Sequence, residues 1–416
     1  MKSLTPAVKN GLLLLLLAAW VTACAPRPKK LKTGTWRGVL QIANQQVPFL
    51  MEVATSPSGQ PLAYLINGRE RILLTDIQVR GDSVIIPLHI FDADLRARIQ
   101  ETENELQGVW TRYGLQQPFR INFSAQLGQE HRFEKHPKPA TFSYSGKWDV
   151  VFTDAAGKQD KAIGLFGQKG NQLSGTFLSA TGDYRYLDGQ VNGDTLLLST
   201  FDGANGYLFR ARPLAPDQLQ GQFFQGPDKT STWTARRNDQ AALPAADTLT
   251  YLKPGYKKLS FSFPDLSGRQ VSLSDPKYRG KVVVVQLMGS WCPNCMDETA
   301  YLAPFYRRHR NRGLEIIGLG YEQSPEFALA SKRLKRLKDR YQIDYDILVA
   351  GVRDPVSAAS TLPMLNHVLA FPTTIILDRK GEVRRIHTGF SGPGTGKYYE
   401  EFIRDFETTV NKLLAE

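Results

Sequence analysis

The chain has 416 residues, 42% of them hydrophobic and 22% charged, with a formal net charge of +12. That length accommodates three domain-sized units, each able to bury its own core. With three cysteines and six histidines, and no second Cys pair or closely spaced His pair, the chain lacks the four ligands of a tetrahedral zinc site.

At the amino terminus, Lys2 and Lys9 flank the start of an apolar run, Gly11 to Trp20, that is too short to span a bilayer comfortably. Val21-Thr22-Ala23-Cys24 follows. The pattern resembles a bacterial lipoprotein signal, residues 1–23, ending in a lipobox. The resemblance implies cleavage before Cys24 and lipidation of its sulfur; an uncleaved anchor or a core segment is the alternative. Loss of Lys2 and Lys9 takes the charge from +12 to +10, and the two remaining cysteines form one pair with no stray thiol. Ala25 replaces the aspartate associated with inner-membrane retention, which implies the outer membrane. No acidic export run follows, so the periplasmic face is expected. Residues 24–32 carry Arg27, Lys29 and Lys30 between prolines and read as a stiff basic tether near anionic head groups. Export removes nucleic acid as a partner for the positive charge.

The next 220 or so residues contain an internal repeat. Gly34-Thr35-Trp36 recurs as Gly146-Lys147-Trp148, Val79-Arg80-Gly81-Asp82-Ser83 as Val191-Asn192-Gly193-Asp194-Thr195, and Leu106-Gln107-Gly108 as Leu219-Gln220-Gly221, at offsets of 112, 112 and 113 residues. Two β-rich modules are therefore expected, residues 33–130 and 141–238. Each is a series of short alternating strands with turn pairs such as Asn67-Gly68 and Asn192-Gly193, forming a small barrel or sandwich, or sharing one larger sheet assembly. His131 and His136, beside Pro137 and Pro139, read as surface linker residues, and Tyr184, Tyr186 and Phe201 as strand packing. Residues 239–257, rich in alanine and proline, read as an interdomain linker.

The last unit, residues 258–416, opens toward a β-branched run, Lys281 to Met288, that reads as a strand buried on both faces. Gly289-Ser290-Trp291-Cys292-Pro293-Asn294-Cys295 follows, and a helical period then places Leu302, Phe305 and Tyr306 on one side. Two thiols thus stand at a strand-to-helix junction. The free amides and positive dipole end of that helix would face Cys292, lowering its pKa from about 8.5 toward roughly 3.5–7.5. Cys292, the more exposed of the two, is the expected nucleophile; Cys295 is expected to resolve the mixed disulfide. Pro293 suits the first helical turn. A purely structural bridge would close only a four-residue ring and stabilise little.

Trp291-Cys292-Pro293-Asn294-Cys295 resembles the thioredoxin active site as found in membrane-anchored TlpA-like and ResA-like thiol-disulfide oxidoreductases. Supporting matches are Glu298, Phe371-Pro372-Thr373-Thr374, the lead-in Phe261 to Ser274 with Gly280-Lys281, and expected strands at Leu314–Leu319, at Thr374–Asp378 and after Gly381-Glu382-Val383. The resemblance covers roughly residues 255–416 and implies an α/β thioredoxin-like domain, a central mixed sheet flanked by helices. It further implies a redox disulfide Cys292–Cys295, a buried acid at Glu298 that handles the proton of Cys295, and a cis proline at Pro372. Trp291, Pro293, Phe371 and Thr373 would line the substrate groove. Without the resemblance, Glu298 reads equally as a solvated first-turn glutamate and Pro372 as a trans proline opening a strand. Ala300 stands where relatives often have proline, with Pro304 one turn later. An insertion between Leu319 and Pro372 carries a helical segment, about 325–341, then a less regular stretch.

The basic runs Arg307 to Arg312 and Lys332 to Arg340 read as solvated helix faces, or as contacts to anionic lipid or an acidic partner. The function expected is a lipid-anchored extracytoplasmic thiol-disulfide oxidoreductase that reduces disulfides of partner proteins, needs no cofactor or metal, and is recycled by an upstream electron donor. Two alternatives remain. One is a binding or scaffolding lipoprotein whose β repeats hold a partner or glycan; the other is a peroxide-reducing relative, although the chain lacks a Thr-x-x-Cys arrangement.

Overall fold

The computed structural model describes residues 29–88, 91–113 and 118–416; the expected signal and Cys24 lie outside them. The first β unit runs through β1 (Gly34–Ile42), β2 (Gln45–Thr55), β3 (Pro61–Asn67), β4 (Glu70–Leu74), β5 (Gln78–Arg80), β6 (Ser83–Leu88), β7 (Ala93–Ile99), β8 (Glu105–Arg112) and β9 (Phe119–Leu127). The second runs through β10 (Gly146–Thr153), β11 (Gln159–Lys169), β12 (Gln172–Ser179), β13 (Gly182–Asp183), β14 (Leu187–Asn192), β15 (Thr195–Phe201), β16 (Gly206–Ala215), β17 (Gln218–Gln225) and β18 (Lys229–Arg237).

Among the described residues each unit is one nine-stranded antiparallel sheet. In both, the first strand pairs with the second and also with the last, β1 with β9 and β10 with β18. The second sheet closes on itself through β11–β12 and β12–β14 pairing, whereas β4 and β5 are the unpaired edges of the first. Alternation of apolar and polar residues, as in Ser83–Leu88, buries one face of each strand. Gly81 and Gly193 hold φ of 61° and 63° in equivalent hairpin turns, a left-handed conformation that other residues adopt only with strain. Trp36 and Trp148 are both fully buried, and each indole donates to the carbonyl four residues earlier, Lys32 at 3.0 Å and Tyr144 at 2.9 Å.

The units share a core. Phe201 of β15 lies 4.7 Å from Phe49 and 5.1 Å from Trp110, ring centre to ring centre, inside the first unit. Between His131, half-buried, and the exposed His136, Arg132 is buried. It donates to the carbonyls of Pro48 and Ile66 on one side and to Ser199 and Asp188 on the other. Of the basic tether, Lys29 pairs with Glu101 at 2.8 Å and Lys32 bonds the Thr102 carbonyl, so both lie against the first unit's own surface.

Residues 239–257 are docked rather than free. The short helix α1 (Ala246–Leu249) sets Asp247 2.7 Å from Arg385 and 2.8 Å from His387. A small hairpin of β19 (Ser262–Pro264) and β20 (Gln270–Ser272) then leads into a five-stranded sheet. That sheet comprises β21 (Val282–Met288), β22 (Leu314–Glu322), β23 (Asp346–Val352), β24 (Thr373–Leu377) and β25 (Val383–Thr388), in the order β23-β22-β21-β24-β25. The first three strands are parallel, β24 runs antiparallel to β21, and β25 runs antiparallel to β24. Helices α2 (Pro293–His309), α3 (Phe327–Tyr341) and α5 (Lys397–Ala415) contribute to the core on one face, and α4 (Pro355–Thr361) with the lead-in contributes to the other.

Two expectations need correction. The stretch after residue 341 is regular as far as Thr361: β23 pairs in parallel with β22, and Asp354 caps α4 by accepting from the Ser357 amide at 2.6 Å, while residues 362–372 are irregular as expected. The second basic run is only partly solvated, because Arg333 is 8% exposed and pairs at 2.7 Å with Asp92 of the first β unit, as does Arg336 at 3.2 Å. A guanidinium loses less by dehydration when a carboxylate meets it, so this face of α3 is an interdomain contact.

Phe201→Ala would empty the space that joins the two β cores. It is expected to cost about 3–5 kcal/mol, read as a lowered urea midpoint of the β-unit transition.

Candidate active site

The site grows out of β21. All seven of its residues are buried, because helices cover one face of the sheet and the lead-in with α4 covers the other. The strand ends at Gly289, where a Cβ would stand 2.2 Å from the Trp291 ring nitrogen and 2.7 Å from the Tyr321 carbonyl; only glycine lets the chain turn here. Trp291 donates its indole N–H to that same carbonyl at 2.8 Å. Cys292 is then the N-cap of α2 and Pro293 its first residue.

Cys292 and Cys295 are joined by a disulfide with Cα atoms 5.2 Å apart. The Cys295 amide donates to Cys292 Sγ at 3.2 Å, so one otherwise unpaired helix amide is spent on the sulfur. Phe371 places its carbonyl oxygen 3.4 Å from Cys292 Sγ, and the Phe371–Pro372 peptide bond is cis. Phe371 also stands edge-on to Trp291 at 5.7 Å. Thr373 is fully buried and donates its hydroxyl to the Ala370 carbonyl at 2.8 Å. In this arrangement it presents no side chain to a ligand.

Glu298 sits three residues beyond Cys295, one turn along the same side of α2, and is fully buried. It accepts from Gln286 Nε2 at 2.7 Å and from the Thr374 hydroxyl at 2.6 Å. Burial pushes its carboxyl up to about 7 against those two hydrogen bonds. The solvated first-turn reading of Glu298 is therefore set aside. Pro304 is accommodated inside α2, which runs unbroken from Pro293 to His309.

Sequence reasoning missed a second buried acid. Glu322, at the end of β22, accepts from the Ser290 amide at 2.7 Å and from its hydroxyl at 2.8 Å, and burial pushes it up to about 7 as well. Its signal was a carboxylate closing the uncharged run Ile316–Tyr321 of a buried strand, as Gln286 is the one polar residue within β21. Arg353, unremarkable in sequence, lays its guanidinium 4.2 Å from the Trp291 ring centre.

Cys292 is the more exposed cysteine, as expected, but by only 4% against 0% for Cys295. The β units pack against the turn that carries it. Phe91 of the first and Ala204 of the second share one apolar cluster with both cysteines and Met296. Arg185, between β13 and β14, donates to the Pro293 carbonyl at 2.9 Å and to Asp297 at 2.5 Å.

Glu298 gives the site a measurable pH signature. Its folded pKa, about 7, lies above the ordinary 4.5, so its contribution to stability is complete below the ordinary value and is lost as pH rises through the folded one. Glu298→Gln removes that loss. Relative to wild type, its thermal stability is expected to gain progressively between acid and alkaline pH, by up to roughly 3 kcal/mol; parallel pH profiles of the two melting curves would contradict it.

Comparison with known proteins agrees with this geometry. Residues 254–386 match the model of the AhpC/TSA family. The thiol-disulfide oxidoreductase ResA of Halalkalibacterium halodurans is 27% identical over 151 residues, which is 36% of this chain and 76% of that protein. ResA of Bacillus subtilis is 25% identical over 150 residues, 36% of this chain and 75% of that protein. A thioredoxin-family thiol:disulfide interchange protein of Chlorobium tepidum, known as a crystal structure, is similar over 38% of this chain and 95% of its own, at 18% identity and a TM-score of 0.30. The carboxy-terminal unit is a thioredoxin-like domain similar to the ResA thiol-disulfide oxidoreductases.

Proposed function

We propose that this ResA-like oxidoreductase works outside the cytoplasm, held by a lipid on Cys24 at the periplasmic face of the outer membrane, where it reduces disulfides of partner proteins. The observation that carries the redox step is the position of Cys292 as N-cap of α2 with an amide already aimed at its sulfur. In the reduced enzyme the same amide and the helix dipole favour the Cys292 thiolate. Among the described residues no helix is long and apolar enough to cross a membrane, and the anchor is assigned to Cys24 from the lipobox alone.

The cycle balances as a two-electron exchange. The Cys292 thiolate attacks one sulfur of the partner disulfide, forming a mixed disulfide and releasing the other sulfur as a thiolate that takes a proton from water. Cys295 then loses its proton to Glu298, whose near-neutral pKa allows it to accept one and pass it on. The Cys295 thiolate attacks Cys292 Sγ, the Cys292–Cys295 disulfide forms, and the partner leaves as a dithiol. An upstream dithiol donor returns two electrons and two protons. The backbone of Ala370-Phe371, whose carbonyl faces Cys292 Sγ, is suited to pair with an extended partner segment, with Trp291, Pro293 and Pro372 shaping the walls.

We read the two β units, residues 33–130 and 141–238, as copies of one module. The matching order of strands and the two equivalent Trp hydrogen bonds support that reading.

Two measurements test the assignment. Cys295→Ser in the full chain is expected to accumulate a partner joined through Cys292, an adduct that dithiothreitol releases and that Cys292→Ser does not form. Equilibration of the full chain in thiol redox buffers is expected to give a potential near that of thioredoxin, about −270 mV; a value near about −120 mV would make it an oxidant that installs disulfides.

A further inference from the structure

We infer that the β units are an intramolecular lid on the redox groove, so that a partner protein and the lid compete for one face of the thioredoxin-like domain. This goes beyond the reductase reading and rests on a separate set of contacts.

The first observation is access. In-line attack on or by Cys292 Sγ needs open space at the sulfur, yet Cys292 is 4% exposed. The redox domain's own Phe371 lies against the sulfur, and parts of the β units pack onto the turn that carries it. Phe91 and Ala204 are buried in the same apolar cluster as the two cysteines. Gly182 approaches so closely that a Cβ would stand 2.6 Å from the side-chain nitrogen of Asn294, a residue of the Cys-Pro-Asn-Cys turn. Gly389, just beyond β25, is packed as tightly on the backbone of Ala180 and Thr181, where a Cβ would come within 2.9 Å.

The second observation is the rim. Arg185 reaches three units at once: its own, Glu70 of the first β unit, and Pro293 with Asp297 of the redox domain. The guanidinium is 11% exposed, with Glu70 and Asp297 nearly as deep. Asp183 accepts from the Gly392 amide at 2.6 Å. On the far side Asp92 is held by Arg333 and Arg336. An apolar centre ringed by charged and hydrogen-bonded groups has the anatomy of a protein–protein interface. Here the partner is the chain's own amino-terminal half.

None of the polar rim contacts uses a sulfur atom, so the rim closes over the dithiol and the disulfide alike. A protein disulfide reaches Cys292 only after Arg185 gives up the Pro293 carbonyl and Asp297. A small reagent can pass without full opening, and that difference in size is what an experiment can read.

The test uses the reduced full chain. Cys292 is alkylated with iodoacetamide and, separately, with a bulky polyethylene-glycol maleimide, and the modified peptide is quantified by mass spectrometry. The ratio of bulky to small rates, normalised to an unstructured cysteine peptide, is expected to be low in wild type. Arg185→Met removes the central rim contact. Ala204→Trp wedges the apolar centre from the lid side and leaves the redox domain untouched, so it serves if the first variant folds poorly. In either folded variant the ratio is expected to rise at least about tenfold, the least that loss of a buried charge-assisted contact should give. A wild-type ratio equal to that of the free peptide, or one unchanged in both folded variants, overturns the lid. Variants with freely alkylated Cys292 that reduce no protein disulfide would uphold the lid and overturn the reductase reading.

Discussion

A guanidinium taken out of water must be met by anions, and that requirement at Arg185 organises the molecule. Arg185 lies where all three units converge, and the groups that meet its guanidinium come from the two units other than its own. Burial works against its charge, but the carboxylates of Asp297 and Glu70 outweigh that and hold it well above its ordinary value. The reverse holds for the surrounding acids. Burial pushes Asp183, Asp202 and Asp297 up, Asp297 to about 7, because one cation cannot neutralise so many carboxylates. The cluster tolerates this crowding because it is shared between domains; none of them would hold these groups dry by itself.

The redox centre follows the same logic on a smaller scale. Two buried carboxylates flank the dithiol turn: Glu298 lies beneath α2, and Glu322 lies behind Ser290. Neither has a cationic hydrogen-bond partner, and both are pushed up to about 7 by burial. Their hydrogen bonds differ in consequence. Glu322 receives two bonds from one residue of the turn and so fixes the path of Gly289-Ser290-Trp291. Glu298 is held by Gln286 and Thr374 from neighbouring strands, one helical turn from Cys295 and with no hydrogen bond to the turn.

Legibility in the sequence tracked how local each cause was. The buried strand 282–288, the cysteine pair at its end and the helix after it were readable because burial periodicity and cap chemistry act within a few residues. The β modules were readable as modules from recurring turns at Gly81 and Gly193, whose left-handed backbone has a local cause. Arg333 was misread as solvated for the opposite reason. Its partner Asp92 lies 241 residues away, and no window on the sequence joins them. Glu322 was missed likewise, since a carboxylate at a strand end is unremarkable until Ser290 is seen against it.

The sequence by itself determined that a dithiol stands at a helix N-terminus in an α/β unit preceded by a β-rich region, because strand burial, capping and turn chemistry are short-range. Only the tertiary structure decided that the β modules pack against the dithiol turn, that Arg185 binds them there, that the linker's short helix pairs with β25, and that part of one basic helix face is a buried contact. Those outcomes depend on shape complementarity and on where dehydrated charges find partners. Both are properties of surfaces brought together from distant parts of the chain.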